Sequence, residues 1–382
     1  MFSGRTLLVL LGVVGHGSVN GFRLTIALYA LQEGATPLGL GVILALLSVV
    51  PALASLALGR LVDRIGARLP LLVCCATFVA AFGLMAASPS LAAVYLAAPL
   101  VGAAVSGYNI GLNNVAGQFG PASQRTATFG WLTLGFALGS LLGPLSAGLL
   151  IDLFGYRPAF ALLALLPLAG SALLAWRADT LPEGRAEGER KSLNLRDLIA
   201  APGVMRVLFV TTMFAAAWDV FVFAVPVYGR EIGLSATTIG VTMGWFSAGS
   251  LFARAAIPLL ARRIDDWTLM AANFFLTAVG LALFPLSSEV PLLMLTAFVI
   301  GIGVGLGTPI SFSLSYAVAP PGRQGELSGL RSMFTAGGHA AVPLAMGALG
   351  SALGLAPVLG AAAAAVGCCG WYSLRQRRAR SA

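Results

Sequence analysis

Long runs of apolar residues, separated by short polar or glycine- and proline-containing segments, dominate this sequence. A helix needs roughly 20 mostly apolar residues to cross the hydrocarbon core of a bilayer. The 382 residues include only 23 Lys and Arg and 14 Asp and Glu, too few polar groups to cover a soluble globule. This argues against soluble enzymes, disordered tails and nucleic-acid-binding proteins, and predicts an all-α integral membrane protein. Twelve transmembrane helices are predicted, at 6–30, 37–59, 68–87, 91–117, 127–150, 157–176, 203–228, 236–259, 267–286, 291–318, 327–349 and 353–373.

The longest polar connection covers residues 177–202 and divides the predicted spans into two groups of six. We predict an N-terminal six-helix bundle over 1–176 and a C-terminal six-helix bundle over 203–374. The cytoplasmic linker between them is expected to hold a short amphipathic helix around 193–199. Residues 375–382 form a basic tail, which we interpret as an anchor to anionic lipid rather than a nucleic-acid site.

The distribution of basic residues sets the orientation, because cytoplasmic loops of membrane proteins carry an excess of positive charge. With a cytoplasmic N-terminus, 19 of the 23 basic residues lie on the cytoplasmic side. Only Arg157 and Arg230 lie outside. The remaining two, Arg23 and Arg254, lie within spans. We therefore expect a multi-pass monomer in the plasma membrane (the inner membrane of a bacterium) with both termini cytoplasmic.

The second half of the chain repeats the first at a constant offset of 199 positions. At that offset Gly34 meets Gly233 and Pro144 meets Pro343, and such matches extend across ten spans without a gap. Two halves related by pseudo-symmetry, with a binding site at their interface, are typical of secondary transporters. The repeat therefore favours a transporter.

The loop between predicted spans 2 and 3 carries the most specific motif, Gly-Arg-Leu-Val-Asp-Arg-Ile-Gly-Ala-Arg at residues 59–68. It resembles the Gly-x-Leu-x-Asp-Arg-x-Gly-Arg-Arg loop of the major facilitator superfamily and departs from it at Ala67. The resemblance implies a fold of two six-helix bundles and a loop that acts as a cytoplasmic latch for the outward-facing state. The alternative is a positively charged turn without a gating role. We expect Gly59 to let span 2 pack closely against a neighbour. The latch residues are Gly59, Asp63, Arg64, Gly66 and Arg68.

Span 5 carries glycines spaced by about four residues, which places them on one stripe where another helix can pack backbone to backbone. The stripe is similar to the Gly-x3-Gly-Pro-x2-Gly-Gly motif of drug:proton antiporters, with Ala147 in place of one glycine. The alternative is general close packing in a glycine-rich protein. The stripe consists of Gly135, Gly139, Gly143, Pro144 and Gly148.

Ionisable groups inside a membrane are costly and by default indicate function. Span 1 carries His16, Asn20 and Arg23 at a spacing that places all three on one helical face. In the superfamily, spans 1 and 7 line the central cavity, so these residues are predicted to contact substrate. Asp219 in span 7 is equivalent to Asn20 in the repeat and is the only carboxylate deep in a predicted span.

A buried carboxylate near a basic group can exchange a proton near neutral pH. We predict that Asp219 is the proton-coupling residue, close to Arg23 or His339, and that His339 in span 11 is a candidate proton relay. The alternatives are a structural ion pair between Asp219 and an arginine, and a structural hydrogen bond for His339.

Further polar and aromatic residues are predicted to line a substrate cavity. Amides and hydroxyls in spans 4 and 10 have the alternative role of joining helices. Arg254 has two interpretations. Its side chain either extends to the cytoplasmic headgroups or holds an anion, as an arginine in span 8 does in organic-anion members of the superfamily. The predicted substrate-binding residues are His16, Asn20, Arg23, Asn109, Asn113, Trp218, Arg254, Thr308 and Ser311.

The sequence contains two histidines and no motif typical of an enzyme, a metal site or a phosphate-binding loop. We predict no enzymatic activity, no cofactor and no metal. The leading interpretation is a secondary active transporter that moves a small organic solute by alternating access, as proton-coupled export of amphipathic compounds. Proton-coupled uptake or exchange of an organic anion is the alternative. It is favoured by Arg23, by Arg254 and by Ala98, which stands where proton-driven antiporters usually carry arginine. A non-transporting membrane sensor is a third interpretation.

Overall fold

The computed structural model describes residues 4–118, 125–176, 195–260, 262–286, 288–320 and 323–381. Within these residues all regular structure is helical. The helices are α1 (Gly4–Gln32), α2 (Pro37–Ile65), α3 (Arg68–Ala87), α4 (Leu91–Gln118), α5 (Arg125–Phe154), α6 (Tyr156–Leu163), α7 (Leu165–Trp176), α8 (Leu195–Ala200), α9 (Val204–Glu231), α10 (Ala236–Leu260), α11 (Asp266–Leu283), α12 (Val290–Val318), α13 (Gln324–Leu353) and α14 (Leu355–Ser381). One turn of 3-10 helix, Phe284–Leu286, follows α11.

Most predicted spans correspond to one helix each, and the sixth to α6 followed by α7. Within the described residues, nine segments are long and apolar enough to cross a membrane. The helices α2, α10 and α13 are not among the nine, although they contain 29, 25 and 30 residues. At about 1.5 Å per residue, each of them exceeds the thickness of the hydrocarbon core.

The helix boundaries reproduce the sequence repeat. Starting positions 37, 91, 125 and 156 in the first half recur 199 positions later as 236, 290, 324 and 355. The chain turns after α1 at Gly34 (φ 82°) and after α9 at its repeat equivalent Gly233 (φ 75°). A second equivalent pair, Gly155 (φ 79°) and Gly354 (φ 82°), follows α5 and α13. Left-handed backbone of this kind favours glycine, so both halves end these helices in the same way.

The helices form two compact units. The first comprises Met1–Glu189 with Gly233–Gly244, and the second Arg190–Ile232 with Trp245–Ala382. In the first unit α1 packs along α5, and α4 packs against α2 and α3. In the second, α9 packs along α13, and α11 packs against α12 and α14. The pairs α1–α5 and α9–α13 are repeat equivalents.

The predicted glycine stripe on α5 packs against α1. A Cβ atom built on Gly139 would lie 2.7 Å from both the Gly17 nitrogen and the Val13 carbonyl oxygen, and one on Gly143 would lie 2.5 Å from the Gly17 carbonyl oxygen. A Cβ on Gly135 would overlap the backbone of α1 in the same way. Any side chain at these positions would therefore force the two helix axes apart.

The C-terminal end of the stripe contacts the first residues of α10, which belong to the same unit. A Cβ on Gly148 would meet the Ala236 carbonyl, and one on Gly240 would meet that of Pro144. The Asp152 carboxylate accepts hydrogen bonds from the backbone nitrogens of Ala236 (3.1 Å) and Thr237 (2.7 Å). Asp152 thus satisfies two donors that the first turn of a helix leaves free.

The loop that follows α2 differs in one respect from the prediction. Among the described residues, no atom lies within 4 Å of a Cβ built on Gly59. The prediction that span 2 packs closely against a neighbour through this glycine is therefore wrong. The loop glycine that the backbone requires is Gly66, which ends α2 at φ 81°. Arg64 and Arg68 are exposed, and the side chain of Asp63 lies outside the described part.

The linker at 177–194 also lies outside the described residues. Its remaining part contains α8, at the position where a short amphipathic helix is predicted. Leu198 of α8 is buried with Val204, Leu208, Leu327 and Leu330, so α8 packs its apolar side against α9 and α13.

Candidate functional site

Asp219 and His339 form a hydrogen-bonded pair on the adjacent helices α9 and α13. The distance between Asp219 Oδ2 and His339 Nδ1 is 2.5 Å. Asp219 is 3% exposed, whereas the His339 side chain retains 28% of its accessible surface. Of the two partners predicted for this carboxylate, the structure pairs it with His339. The more open imidazole is the side of the pair from which a proton or a ligand can approach.

An indole lies beside the pair. Trp218 packs edge-on against His339, with ring centroids 5.8 Å apart and an interplanar angle of 80°. Trp218, a predicted substrate-binding residue, therefore lies beside the Asp219–His339 pair. An aromatic ring next to an acid–base pair can bind a ligand that combines an apolar body with a polar group, because the ring packs against the apolar part.

His16 and Asn20 form a second polar cluster, on α1 and α5. The Asn20 amide donates to the His16 carbonyl oxygen (2.9 Å) and to the Ser140 hydroxyl (3.3 Å). His16 Nδ1 lies 3.4 Å from the Ser140 oxygen, and its ring stacks on Phe136 at 4.1 Å. Arg23, one turn further along α1, is half-buried. The cluster contains no carboxylate.

The two clusters occupy equivalent positions. Asn20 and Ser140 lie 199 positions before Asp219 and His339, so each hydrogen bond joins the same two places in its half of the repeat. The first half therefore carries an amide and a hydroxyl where the second half carries a carboxylate and an imidazole. Of these two pairs, only the second consists of ionisable side chains.

Comparison with known proteins identifies the family of the chain that carries this pair. The sequence profile of the Major Facilitator Superfamily matches residues 8–343. The chain belongs to this superfamily. It is therefore a multi-pass membrane transporter of small solutes, and the prediction that it is not an enzyme is confirmed.

Relatives within the superfamily cover nearly the whole chain. Two of them, from Salmonella choleraesuis (strain SC-B67) and Citrobacter koseri, are each named Multidrug resistance protein MdtG. Each is 24% identical to this chain over 96% of its length, and the alignments cover 89% and 88% of the relatives.

Solved structures of transporters share the fold. A crystal structure of a POT family transporter in complex with 5-aminolevulinic acid matches with a TM-score of 0.84 at 12% identity. The match covers 97% of this chain and 95% of that chain. The nucleoside transporter NupG matches with a TM-score of 0.79 at 14% identity, over 98% and 99% of the two chains. At these identities the likeness concerns the superfamily fold alone.

Arg331 belongs to a further polar group, on α12 and α13. Its Nη1 lies 3.5 Å from the Ser311 hydroxyl oxygen, and its guanidinium carbon lies 4.0 Å from the centre of the Phe312 ring. Ser311 is fully buried and donates its own hydroxyl to the Thr308 carbonyl oxygen at 2.7 Å. The predicted lining residue Ser311 therefore lies next to an arginine, and Thr308 contacts Ser311 through its backbone carbonyl.

The remaining predicted lining residues lie on α4 and α10. Asn109 is half-buried, and its Oδ1 has no hydrogen-bond partner in the described part of the chain. Asn113, one turn further along α4, is exposed. Arg254 is half-buried on α10, and its Nε also lacks a hydrogen-bond partner among the described residues.

Ser140, Phe136 and Arg331 are site residues that sequence reasoning missed. The signal for Ser140 was present, because the 199-residue offset carries His339 onto it. Phe136 had no such signal, since aromatic residues in a membrane helix are more often packing residues. Arg331 shares a helical face with Thr335 and His339 but was counted among the cytoplasmic charges.

Proposed function

We propose that this transporter exports amphipathic organic compounds by alternating access, in exchange for protons that bind at the Asp219–His339 pair. The observation that carries the proposal is the 2.5 Å contact between a carboxylate and an imidazole on facing helices. Its repeat equivalent, Asn20 with Ser140, is neutral. Of these two equivalent pairs, only Asp219–His339 contains ionisable groups, so we assign one coupling site to it.

The chemistry of the pair supports exchange between a proton and a substrate. One proton shared by the two groups leaves the pair neutral or zwitterionic, and a second proton makes it cationic. A polar or cationic group of a substrate that contacts Asp219 competes with the imidazole for the carboxylate. Proton loss then favours substrate binding, and protonation favours release. Such mutual exclusion is the requirement for antiport.

The position of the pair also supports the proposal. Asp219 lies about halfway along the 28-residue helix α9, near the middle of a membrane. In the proposed arrangement α1–α5, α6 with α7, and α9–α14 form twelve spans in two six-helix halves. Both termini are cytoplasmic, and the loop after α2 serves as the cytoplasmic latch.

Amphipathic substrates are favoured over small polar ones for two reasons. The aromatic ring of Trp218 lies against His339, so an apolar group can pack beside the titratable pair. In addition, relatives that cover almost the full chain are named multidrug resistance proteins. The broad specificity that this name implies is what an apolar, aromatic site permits.

Flux into proteoliposomes tests the proposal. The purified full-length protein is reconstituted, and ethidium movement is followed with and without an imposed pH gradient. We expect the gradient to stimulate flux of the wild-type protein, in the direction opposite to the protons, and not to stimulate flux of Asp219→Asn. Ser140→Ala, at the repeat equivalent of His339, is the matched control and keeps the stimulation. Equal stimulation in wild type and Asp219→Asn would overturn the proposal.

Uptake or exchange of an organic anion is the second candidate. It is favoured by Arg254, a half-buried arginine whose Nε lacks a partner among the described residues. Carboxylate binding that Arg23→Ala or Arg254→Ala abolishes, with no ethidium flux, would rank this candidate first.

A further inference from the structure

Arg331 is a charged side chain within α13, the eleventh of the proposed spans. Its Nε is buried and has no hydrogen-bond partner in the described part of the chain. Its Nη1 reaches one neutral hydroxyl, that of Ser311, at the long distance of 3.5 Å. A guanidinium offers five N–H donors, so this environment uses little of its capacity.

No carboxylate neutralises this arginine among the described residues. The ion pairs found there are Asp219 with His339 and Arg377 with Asp265. Asp219, the carboxylate deep in α9, is thus held by a different side chain of α13. An arginine within a membrane helix that has no counter-charge is costly to maintain, and such residues mark ligand or ion pathways.

The surroundings of Arg331 fix the orientation of its guanidinium plane. One face lies on the Phe312 ring at 4.0 Å, a cation–π contact. The Ser311 hydroxyl donates to Thr308, so its oxygen is free to accept from Nη1. Phe312 is 42% exposed and Arg331 is half-buried, so neither member of the stacked pair is fully enclosed by the protein. A planar fork held in this way can bind a carboxylate, sulfonate or phosphonate through two parallel hydrogen bonds.

We propose that Arg331 binds the anionic group of a transported compound, so that the substrates include amphipathic anions as well as cations. This inference rests on the proposed function, because it treats α13 as a transport helix. Arg331 lies two turns from His339 on the same helical face, about 12 Å along the axis. An elongated molecule can therefore place its anionic group at Arg331 and its apolar body towards Trp218.

Equilibrium binding of two matched probes tests this assignment. 2-Naphthalenesulfonate carries the anionic group, and 2-naphthylmethanol presents the same ring system without a charge. Purified full-length protein in neutral detergent is titrated with each by calorimetry. Wild type is expected to bind the sulfonate at least about tenfold more tightly, as a charge-assisted hydrogen bond to guanidinium predicts. Equal affinities, or no saturable binding of the sulfonate, overturn the proposal without any variant.

Two variants locate the anion on the chain. Arg331→Gln is expected to weaken sulfonate binding at least about tenfold and to leave naphthylmethanol binding within about twofold. Arg375→Gln is the matched control, because Arg375 also stacks on an aromatic ring, that of Trp371 at 3.8 Å, but on the exposed tail. The Arg375→Gln variant should bind both probes with the same affinity as wild type. Sulfonate affinity that survives Arg331→Gln, or falls equally in Arg375→Gln, assigns the anion elsewhere and overturns the proposal.

A lipid headgroup carries similar chemistry, and one arm of the experiment separates the two sources. The sulfonate titration is repeated in micelles that contain an excess of phosphatidylglycerol. Unchanged sulfonate affinity supports a solute site. Loss of sulfonate binding in these micelles shows that Arg331 holds lipid phosphate and overturns the solute assignment.

The outcome is independent of the proton-coupling test. A protein that exchanges ethidium for protons through Asp219 but fails to bind the sulfonate refutes the anion site alone. A protein that binds the sulfonate through Arg331 but shows flux insensitive to Asp219→Asn refutes the coupling site alone.

Discussion

The helix pairs α1–α5 and α9–α13 are equivalent in the repeat but are held together differently. In the first pair the backbones touch through Gly139 and its neighbours, and the polar contact is a 3.3 Å hydrogen bond from Asn20 to Ser140. In the second pair a Cβ built on Gly338, the equivalent of Gly139, would find Thr212 Cγ2 at 3.3 Å and no closer atom. The polar contact there is the 2.5 Å bond between Asp219 and His339.

We propose that this difference gives the two equivalent helix pairs different functions. The first pair is a close backbone contact, and the hydrogen bond that joins its two helices is between an amide and a hydroxyl. The second pair has more room and carries groups whose charge can change. A duplicated fold can thus keep one helix pair as a structural support and use the other for chemistry.

The largest effect is expected from a methyl group added at the two equivalent glycines. Gly139→Ala should destabilise the protein by about 3 kcal/mol, because the new Cβ would overlap the backbone of α1 and neither helix can yield locally. Gly338→Ala should change stability by less than about 1 kcal/mol, because a threonine methyl can move. Thermal unfolding in detergent measures both. Equal losses in the two variants would contradict the difference in packing.

A second test removes the imidazole and its equivalent hydroxyl. We expect His339→Gln to lower pH-gradient-driven ethidium flux about tenfold, since an amide can hold Asp219 in place but cannot take up a proton. Ser140→Ala should lower it less than about twofold. Initial rates in proteoliposomes at matched protein density give the comparison. A greater loss in Ser140→Ala would assign the coupling chemistry to the first half.

The loops extend the comparison, because Gly66 and Asp265 are repeat equivalents with different roles. Gly66 ends α2 with a φ of 81°, which a residue with a Cβ rarely adopts. Gly66→Ala should therefore cost about 1 kcal/mol of stability. Gly130→Ala is the control, since a Cβ there meets no atom within 4 Å and this helical glycine needs no positive φ. An unchanged melting temperature for Gly66→Ala would refute the strain argument.

The smallest effect concerns Asp265, the residue that caps the N-terminus of α11. Burial alone would raise the pKa of this carboxyl, but hydrogen bonds from the Thr268 hydroxyl and backbone nitrogen and the charge of Arg377 outweigh it and lower the pKa. The resulting stability is present above the ordinary value of 3.8 and is lost as the pH falls through the lower folded-state value. Because the side chain is 46% exposed, solvent screening limits the contribution to less than about 0.5 kcal/mol. Melting curves of wild type and Asp265→Asn should converge at acid pH, and a constant difference would contradict this.

Much of the fold could be predicted from the sequence because membrane helices are specified by long apolar runs. The repeat offset also identified Asp219 as the counterpart of Asn20. The sequence did not determine which base would hold Asp219, since Arg23 and His339 were both possible and the choice depends on which helices pack together. The environment of Arg331 could not be predicted either, because Ser311 and Phe312, which contact it, lie on a different helix. The role expected for Gly59 failed because a small residue permits close packing without requiring it.

Proton release on binding is the most direct test of the Asp219–His339 pair. Ethidium is added to purified protein in a weakly buffered detergent solution, and the protons released per ethidium bound are read from a pH-sensitive dye. The account predicts substantial release near neutral pH for wild type and for Ser140→Ala, and almost none for Asp219→Asn. Undiminished release per bound ethidium from Asp219→Asn would contradict it.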